Sequence, residues 1–319
     1  MFQPNRPLVT VICLCYNHER FLEASVGSVI DQTYPNLEII LVDDASTDGS
    51  PELLRQFKNH SKVQMVMLTH NLGNCAAFNR GLALAKGKYI VDLATDDILL
   101  PERIEKQVAF FEKLDESVGV IFSNCEYVDE DDNHLRYHYP VNREKQAKQA
   151  IPQGNVFADL LSAYFISPPS MMMKKEVLDK LGGYDENLAY EDFDFWVRSS
   201  RYYHYAYQDF ILTKVRKVKN SLSSGWYVPG DPQLHSTYLV CRKAVDLIRN
   251  GAEKGALIKR IKFEIRQAVF SENFAEATSF IGLLKEINHA GGLYAFLEWL
   301  NNRQLRLSLL RKLYHRIRY

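Results

Sequence analysis

Apolar, β-branched runs that alternate with helical segments are the feature of this sequence that most limits its fold. Residues 8–15, LVTVICLC, form a continuous run of this kind, which is typical of a strand buried on both faces of a sheet. Similar runs recur further along the chain, at 37–42, 63–68, 88–93 and 118–123. Strands that alternate with helices of roughly 10–15 residues predict a parallel sheet covered by helices.

The segment 102–114, ERIEKQVAFFEKL, shows the helical pattern most clearly. Its apolar side chains, among them Ile104 and Val108, fall on one face, and Glu102 and Lys106 are spaced to pair one turn apart. We therefore predict a helix here, between two of the strands.

Composition narrows the class of protein. The chain has 319 residues, of which 46% are hydrophobic and 24% charged, as in a globular protein with a sizeable core. Basic and acidic residues number 39 each, so the formal net charge is zero and no overall field points to nucleic acid as a partner. The cysteines are odd in number and scattered, which favours buried thiols over disulfides or a zinc site.

Targeting signals are not evident in the sequence. The N-terminus, MFQPNRPLV, lacks the basic stretch and apolar core of a signal peptide. No apolar run reaches the roughly 18 residues that a membrane-spanning helix needs. A reducing, cytoplasmic setting is therefore expected.

The pattern along the chain predicts two domains, an α/β domain at 1–225 and an α-helical region at 226–319. Helical patterns dominate from about residue 232 onward. The segment 124–165 is polar and loses periodicity. Its acidic run 129–132 fits either a metal-binding loop or a solvated turn, of which we favour the turn.

Two pairs of adjacent aspartates each follow an apolar run. Asp43 and Asp44 come after one predicted strand, and Asp96 and Asp97 after another. Because ligands of parallel sheets bind beyond the carboxyl ends of the strands, these acids are expected to converge on one cleft. For Asp43 and Asp44 an alternative remains, namely that they cap the following helix.

A third acidic pair, Glu191 and Asp192, precedes an aromatic helix, where the helix dipole alone would also favour acids. Carboxylates gathered in one cleft need a cation or a substrate hydroxyl to offset their repulsion. Oxygen ligands with few histidines nearby favour Mg²⁺ or Mn²⁺ over zinc, and such ions commonly hold a diphosphate. Neither a P-loop nor a dinucleotide-binding glycine motif is present.

Three stretches resemble the family 2 glycosyltransferases of the GT-A fold in order and spacing. They read VTVICLCYNHERFLEASVGSVIDQTYPNLEIILVDDASTDGS, NLGNCAAFNRGLALAKGKYIVDLATDDILLPER and GGYDENLAYEDFDFWVR. The resemblance covers roughly residues 7–225. It implies an α/β GT-A fold with a Rossmann-like, mainly parallel sheet covered by helices, followed by a C-terminal helical module. It also implies inverting transfer of a sugar from a nucleotide-diphosphate donor, most often a UDP-sugar.

The resemblance assigns expected roles residue by residue. The acid at Asp44 accepts a hydrogen bond from the nucleotide base, and the ring of Tyr16 packs on that base. Asp96 contacts the ribose or donor sugar, and Asp97 ligates a metal, Mn²⁺ or Mg²⁺, that bridges the diphosphate. Asp192 corresponds to the general base that deprotonates the acceptor hydroxyl.

Two departures from the family pattern are visible. The family usually reads Pro-Thr or Pro-Ser where this chain has Leu14 and Cys15, and tolerance is expected because that segment meets the base largely through its backbone. Many members carry an Arg-x-His segment; here Arg216 is present and Val218 stands in the place of the histidine. Either Arg216, Lys217 or Lys219 is expected to bind the donor diphosphate, or the metal relies on Asp97 and water. A weakened metal site is one expected consequence. Asn71 belongs to the segment that shapes the loop beneath the nucleotide and is expected at the donor site.

The expected partners are a nucleotide-sugar donor and a carbohydrate or lipid-linked acceptor, in the synthesis of a cell-surface polysaccharide or glycolipid. The tail from Arg303 is basic and amphipathic. It fits either a helix lying on an anionic membrane, at the inner face of the plasma membrane, or a packed terminal helix with a solvated basic face. A homo-oligomer formed through the helical region is compatible with the pattern but not required by it.

Two other functions compete with sugar transfer. One is a nucleotide-sugar-binding or scaffold subunit of a glycan assembly complex, with a metal site that has decayed at Val218. The other is nucleotidyl transfer onto a sugar phosphate, which usually needs a glycine-rich N-terminal segment that CLCYNHER does not provide.

Overall fold

The computed structural model of the protein describes residues 6–218, 227–287 and 291–305. The chain divides into two compact units. The first comprises Met1–Val156, Phe165–Glu186 and Tyr202–Ser224, and the second comprises Phe157–Tyr164, Asn187–Arg201 and Gly225–Tyr319. The predicted domains, 1–225 and 226–319, stay a prediction.

The secondary structure alternates between strands and helices up to residue 216 and is helical thereafter in the described residues. In chain order the elements are β1 (Val9–Cys15), α1 (Leu22–Ile30), β2 (Leu37–Asp43), α2 (Ser50–Gln56), β3 (Val63–Met67), α3 (Asn74–Leu82), β4 (Tyr89–Ala94), β5 (Ile98–Leu99), α4 (Arg103–Phe111), β6 (Val118–Val128), β7 (His134–Tyr137), α5 (Phe157–Ser162), β8 (Met172–Lys174), α6 (Lys175–Leu181), α7 (Asp192–Ser199), β9 (His204–Arg216), α8 (Pro232–Leu247), α9 (Gly251–Phe270), α10 (Phe274–Glu286) and α11 (Leu293–Asn302).

Within the described residues the strands form one nine-stranded sheet, which belongs to the first unit. Its order is β3-β2-β1-β4-β8-β6-β9-β5, with β7 paired to β6. Strands β3, β2, β1 and β4 run parallel, whereas β8 is antiparallel to both β4 and β6. The predicted α/β class with a mainly parallel sheet is confirmed. The predicted buried thiols are confirmed as well, because all five cysteines, which lie in the described residues, are buried and form no disulfide.

The apolar runs predicted as strands all form strands, and the helix predicted at 102–114 forms as α4. Ile104 and Val108 are buried on its inner face, and Glu102 and Lys106 pair at 2.7 Å. One expectation about burial is wrong: β3 is only half-buried, because it lies at the edge of the sheet with a single neighbouring strand. A run of apolar letters does not distinguish an edge strand from a central one.

Strand β6 extends into the segment 124–165, where the sequence is polar and loses periodicity. The strand continues to Val128 by pairing with β9 and β7, and Asn124 within it is fully buried with its side chain hydrogen-bonded. Its side-chain oxygen accepts from the backbone N–H groups of Cys125 and Tyr139, both at 2.9 Å. Its amide nitrogen donates to the carbonyl oxygen of Tyr139 at 3.0 Å.

The second unit is helical in its described residues. Helix α9 provides its centre, with Leu257, Ile261 and Ile265 fully buried. A buried pair joins Arg201 to Glu253, the guanidinium contacting both carboxylate oxygens at 2.9 and 3.1 Å. The helices predicted from about residue 232 onward are confirmed where the chain is described.

The described part of the chain contains no helix that is long and apolar enough to cross a membrane. Residues 306–319, which make up most of the predicted basic helix, lie outside the described residues. Both interpretations of this tail, a helix on an anionic membrane and a packed terminal helix, therefore stay predictions.

Candidate functional site

The carboxyl ends of β1, β2 and β4 lie side by side in the first unit. Parallel pairing sets the last residues of β1 and β2, Cys15 and Asp43, opposite each other, and brings the end of β4 to the same level on the other side of β1. The segments that begin at Tyr16, Asp44 and Thr95 therefore leave the sheet together, at the edge where parallel sheets bind ligands.

Asp44 organises the loop that follows β3. The residue is buried, and its two carboxylate oxygens accept hydrogen bonds from the backbone N–H groups of Leu72 at 2.7 Å and Gly73 at 2.9 Å. Asn71 donates from Nδ2 to the carbonyl oxygen of Asp44 at 3.3 Å. Gly73 has a φ of 85°, a left-handed value that a side chain would make costly. A carboxylate has about four acceptor positions, so these two bonds leave Asp44 capacity to accept another donor.

The alternative that Asp44 caps the following helix is wrong. Helix α2 begins at Ser50, and the Ser50 N–H donates to the carboxylate of Asp48 at 3.0 Å. Asp43 accepts instead from the N–H of Ser46 at 3.2 Å, within the loop after β2. The carboxylate of Asp44 is directed to a different loop.

Tyr16 presents its ring at the same edge of the sheet. The residue is 45% exposed, although it directly follows a buried strand. Asn17 behind it has a φ of 59°, accepts the Thr47 N–H on its side-chain oxygen at 2.8 Å and donates its own N–H to Ser46 Oγ at 2.9 Å. These bonds fix the turn after β1 against the loop after β2, and the exposed Tyr16 lies directly before that turn.

Asp97 is a buried carboxylate beside a half-buried one, Asp96. Its Oδ1 accepts the backbone N–H of Arg216 at 2.8 Å. Burial and, after it, the charge of Asp96 raise the pKa of Asp97 well above its usual range, while the Arg216 N–H and the Lys217 ammonium act in the opposite direction. A bound cation would favour the charged form of this carboxylate.

The guanidinium of Arg216 is buried against the backbone of the same turn. Its Nε donates to the carbonyl oxygen of Asp96 at 3.0 Å, and Nη1 donates to that of Asp129 at 3.2 Å. Its Nη2 pairs with the carboxylate of Asp132 at 2.9 Å, and the group lies 4.7 Å from the ring centroid of Phe21. Arg216 thus supports the position of Asp96 in this structure, and diphosphate binding by its side chain stays a prediction.

The acidic run 129–132 forms a turn, as favoured from the sequence. The carboxylate of Asp129 accepts the N–H groups of Asp131 and Asn133, both at 2.9 Å. Arg20 pairs with this turn from outside, at 2.6 Å from Asp131. Among the residues that the structure describes, no group of three His, Cys, Asp or Glu side chains is arranged to hold a metal ion.

Two cationic side chains, those of Lys217 and Arg103, act electrostatically on the Asp97 carboxylate. Burial lowers the pKa of the half-buried Lys217, and the charge of Asp97 opposes that shift. Burial likewise lowers the pKa of Arg103 to about 9, again opposed by Asp97. Val218, at the position of the family's histidine, is half-buried and adds no ligand.

The residues present fit a Mg²⁺ or Mn²⁺ ion held jointly with a diphosphate. Such ions are bound through one or two carboxylates together with substrate phosphates, rather than by a complete protein cage. Asp97 and Asp96 can supply oxygen ligands of this kind, and burial together with the charge of Asp96 raises the pKa of Asp97, so a cation would favour its charged form. We therefore regard these two acids as the residues that would hold the ion.

Asp192 lies in the second unit as the first residue of α7. Asp192 and the preceding Glu191 are both half-buried. In the same first turn Asp194 is buried and pairs with Lys243 and Arg198, both at 2.6 Å. Acids in the first turn agree with a contribution from the helix dipole, and catalysis by Asp192 stays a prediction.

Thr95 and His18 were not predicted as site residues. Thr95 is fully buried, donates from Oγ1 to the carbonyl oxygen of Leu14 at 3.1 Å and bonds to His18 Nδ1 at 2.9 Å. It ties the start of the turn that carries Asp96 to the end of β1. A threonine after an apolar run gives no local signal of this role, because the role depends on the neighbouring strand.

The family of the chain follows from comparison with known proteins. The sequence profile of glycosyl transferase family 2 matches residues 10–182, more than half of the chain. The chain belongs to glycosyl transferase family 2. The matched range includes the predicted donor-site residues Tyr16, Asp44, Asn71, Asp96 and Asp97.

Several relatives carry glycosyltransferase names. An uncharacterized glycosyltransferase of Methanocaldococcus jannaschii is 34% identical over 198 residues, which cover 61% of this chain and 65% of that protein. One from Rickettsia typhi is 28% identical over 212 residues, covering 66% of this chain and 64% of the relative. The chain thus spans just under two thirds of the length of these relatives. TuaG of Bacillus subtilis, provisionally named for teichuronic acid biosynthesis, is 41% identical over 106 residues, covering 33% of this chain and 42% of TuaG.

Solved structures share the fold of this family 2 member. S. aureus TarS 1–349 in complex with UDP-GlcNAc matches with a TM-score of 0.63 at 17% identity, covering 88% of this chain and 80% of that one. The mannosyltransferase PcManGT from Pyrobaculum calidifontis, in complex with GDP-Man and Mn²⁺, matches with a TM-score of 0.57 at 20% identity, covering 92% and 79%. At these identities the likeness shows the fold, and the predicted GT-A architecture is confirmed.

Proposed function

We propose that this protein is an inverting glycosyltransferase that moves a sugar from a UDP-sugar to an acceptor hydroxyl. The observation that carries the proposal is the buried Asp97 beside Asp96 at the end of β4 of a family 2 chain. Burial raises the pKa of Asp97, so its charged form would be stabilised by a cation held together with the donor diphosphate.

Recognition of the donor base is assigned to Tyr16 and Asp44. The accessible ring of Tyr16 offers a surface on which a base can stack. Asp44, already fixed by two backbone N–H groups, has acceptor capacity left for the N3–H of uracil. Asn71 supports this arrangement through its bond to the Asp44 carbonyl oxygen.

Asp97, together with Asp96, would hold Mg²⁺ or Mn²⁺ at the donor diphosphate. When bound, the ion would supply charge stabilisation for the leaving nucleoside diphosphate. Asp97 must be deprotonated to serve as a ligand, and Lys217 favours that form. Arg216 keeps the turn of Asp96 and Asp97 in place through the bonds described above.

Asp192 is assigned the proton transfer. An acceptor hydroxyl has a very high pKa, so a carboxylate must take its proton as the oxygen attacks the anomeric carbon. The new carbon–oxygen bond forms while the bond to the diphosphate breaks on the opposite face of the sugar. A single displacement of this kind inverts the anomeric centre.

Calorimetric titration of the full chain with UDP, with and without Mn²⁺, tests the donor site. We expect UDP to bind in the presence of Mn²⁺ and at least about tenfold more weakly without it, because Asp97 and Asp96 would hold the ion together with the donor phosphates. GDP and TDP serve as controls for the base, and TDP keeps the N3–H that Asp44 would accept. Failure of every nucleotide to bind would refute the proposed donor site.

A binding or scaffold subunit is the second candidate, favoured by one observation. Val218 is apolar at the family's histidine position, and the described residues hold no complete group of metal ligands. Such a protein would bind UDP in the same titration but would release none from any UDP-sugar. Metal-dependent release of UDP would exclude it.

The proposed setting is the cytoplasmic synthesis of a cell-surface polysaccharide or glycolipid. The provisional name of TuaG supports a polysaccharide acceptor, and family 2 membership supports the use of a nucleotide-sugar. Self-association through the helical region stays a prediction.

Peripheral contact with an anionic membrane is proposed through the C-terminal end. On α11 the side chains of Leu293, Phe296 and Trp299 are 46–56% exposed and lie along one stripe. The guanidinium of Arg303 lies 4.0 Å from the Trp299 ring centroid. Residues 303–319 follow with basic side chains and no acid, so apolar and cationic groups come together here.

Sedimentation with phosphatidylcholine vesicles, with and without phosphatidylglycerol, tests this contact. We expect binding only to the anionic vesicles, weakened about tenfold or more in the Phe296→Ser/Trp299→Ser variant, because two exposed aromatic rings would be lost from the bilayer surface. Phe210→Ser, which removes an exposed ring from β9, is the matched control. Equal binding by the double variant and wild type would refute the proposal.

A further inference from the structure

The segment immediately before Asp192 is bonded to the first turns of α8. The backbone N–H of Ala189 donates to Ser236 Oγ at 2.9 Å. The hydroxyl of Tyr190 bonds to Thr237 Oγ1 at 2.6 Å. Ser236 is 3% exposed and Thr237 is fully buried, so water does not readily substitute for these partners.

The direction of each bond is set by the helix. Thr237 Oγ1 donates its single proton to the carbonyl oxygen of Gln233 at 2.9 Å, so it accepts from Tyr190. Tyr190 has then used its proton and accepts from the hydroxyl of Tyr164, which lies 3.3 Å away. Ser236 likewise donates to the carbonyl oxygen of Pro232 at 3.0 Å and accepts from the backbone before it.

The residues after Asp192 are held by α8 and α9 as well. The ring of Phe193 packs edge-on against Tyr164, with centroids 5.1 Å apart, and the Arg260 guanidinium lies 5.2 Å from it. Arg260 is buried and donates to the carbonyl oxygen of Leu161 at 3.1 Å. Asp194 pairs with Lys243 of α8 at 2.6 Å. Asp192 is therefore flanked on both sides by residues anchored in the helices that follow the sheet.

We propose that Ser236 and Thr237 are positioning residues for the reaction: their hydroxyls hold residues 189–190 and so set the orientation of Asp192. The inference rests on the proposed function, since it takes Asp192 as the base. It gives the C-terminal helices a part in the chemical step, although neither hydroxyl touches a reacting group. A displacement of roughly 1 Å at a catalytic group costs about a hundredfold in rate, so loss of such a bond should be measurable.

Thr237→Val tests the role with little change in shape, because a methyl group replaces the hydroxyl. Release of UDP is followed for the UDP-hexose that the wild type turns over fastest, with water as acceptor and saturating Mn²⁺. We expect kcat to fall about 10- to 100-fold, while KM for the donor and the Kd of UDP stay within about twofold. Thr237→Ser, which keeps the hydroxyl, should recover most of kcat.

Two further variants separate positioning from general loss of stability. Ser279→Ala removes an exposed hydroxyl that bonds to a carbonyl oxygen one turn back on α10, and should leave kcat unchanged. Tyr190→Phe removes the same bond as Thr237→Val from its other side. If the bond is what matters, the double variant should lose no more than either single one.

The outcomes distinguish this inference from the proposed function. UDP release that depends on Asp192 but tolerates Thr237→Val would overturn the positioning role alone. A fall in UDP affinity as large as the fall in kcat would also overturn it, since a general structural defect would explain both. Absence of UDP release from every UDP-hexose, or release that survives Asp192→Asn, would overturn the proposed function and the inference with it.

Discussion

Asp97→Asn is expected to remove the metal-dependent part of UDP binding. Asparagine keeps the shape, and its side-chain oxygen still accepts the N–H of Arg216, so the turn itself should persist. What is lost is the negative charge that would ligate the ion. Loss of a residue that only supports a metal ligand costs about 10- to 100-fold in affinity, and we expect at least the upper end of that range for a ligand itself.

Calorimetry with UDP and Mn²⁺ on wild type and variant measures the difference. Asp131→Asn is the matched control, because it removes an exposed carboxylate from the neighbouring turn, where it pairs with Arg20. Thermal unfolding should show no loss of stability in Asp97→Asn, because the variant buries an amide in place of an uncompensated acid. If UDP binding by the variant still depended on the metal, Asp97 would not be the residue that holds the ion.

The carboxylate of Asp97 should also make the metal-dependent affinity for UDP vary with pH in a defined direction. Burial and the charge of Asp96 raise the pKa of Asp97, so its proton is retained at pH values where an ordinary aspartate has lost it. Because only the deprotonated form is a ligand, metal-dependent affinity should weaken as the pH is lowered through this raised pKa. Asp96→Asn removes the repelling charge and should shift the weakening to lower pH. In the metal-free protein the sign is opposite: stability should fall as the pH rises through that pKa.

The strands that carry the site were predictable because strands buried on both faces of a sheet have largely apolar sequences. In β1, β2 and β4 most side chains are apolar, and in a parallel sheet that pattern predicts both the strand and the edge where its carboxyl end lies. Asp44 and Asp97 could therefore be assigned to one edge without coordinates. Their immediate neighbours in sequence were enough.

The parts that escaped prediction depend on contacts between distant segments. Strand β6 continues through the buried polar Asn124, whose side chain bonds to the backbone of Tyr139, a residue distant in sequence. Arg216 reaches the Asp96 turn and the acidic turn at the same time, which no spacing along the chain reveals. Thr95 acquires its role from the carbonyl oxygen of Leu14 on the adjacent strand.

The roles of the Ser236 and Thr237 hydroxyls in α8 could not be predicted from the sequence either. Ser236 and Thr237 occupy positions where serine and threonine commonly bond back to the preceding turn, so the sequence offers no reason to single them out. Their second partners, Ala189 and Tyr190, lie more than forty positions earlier in the chain. Only the fold places them together.

Asp192→Asn is expected to abolish transfer while leaving the donor bound. An amide cannot accept the proton of the acceptor hydroxyl, and loss of a general base typically lowers the rate by about 10²- to 10⁴-fold. The Kd of UDP in the presence of Mn²⁺ should stay within about twofold, because Asp192 is assigned no contact with the nucleotide. A quenched activity assay measures the rate of UDP release, and calorimetry on the same preparation measures the Kd of UDP.

Glu191→Gln is the control that identifies which acid is the base. The two residues are adjacent and both half-buried, so the substitutions disturb the start of α7 to a similar extent. If Asp192 takes the proton, Glu191→Gln should retain most of kcat. A larger loss of kcat in Glu191→Gln than in Asp192→Asn would assign the base to Glu191. A loss of UDP affinity in Asp192→Asn that matches its loss of kcat would rule out proton transfer by Asp192.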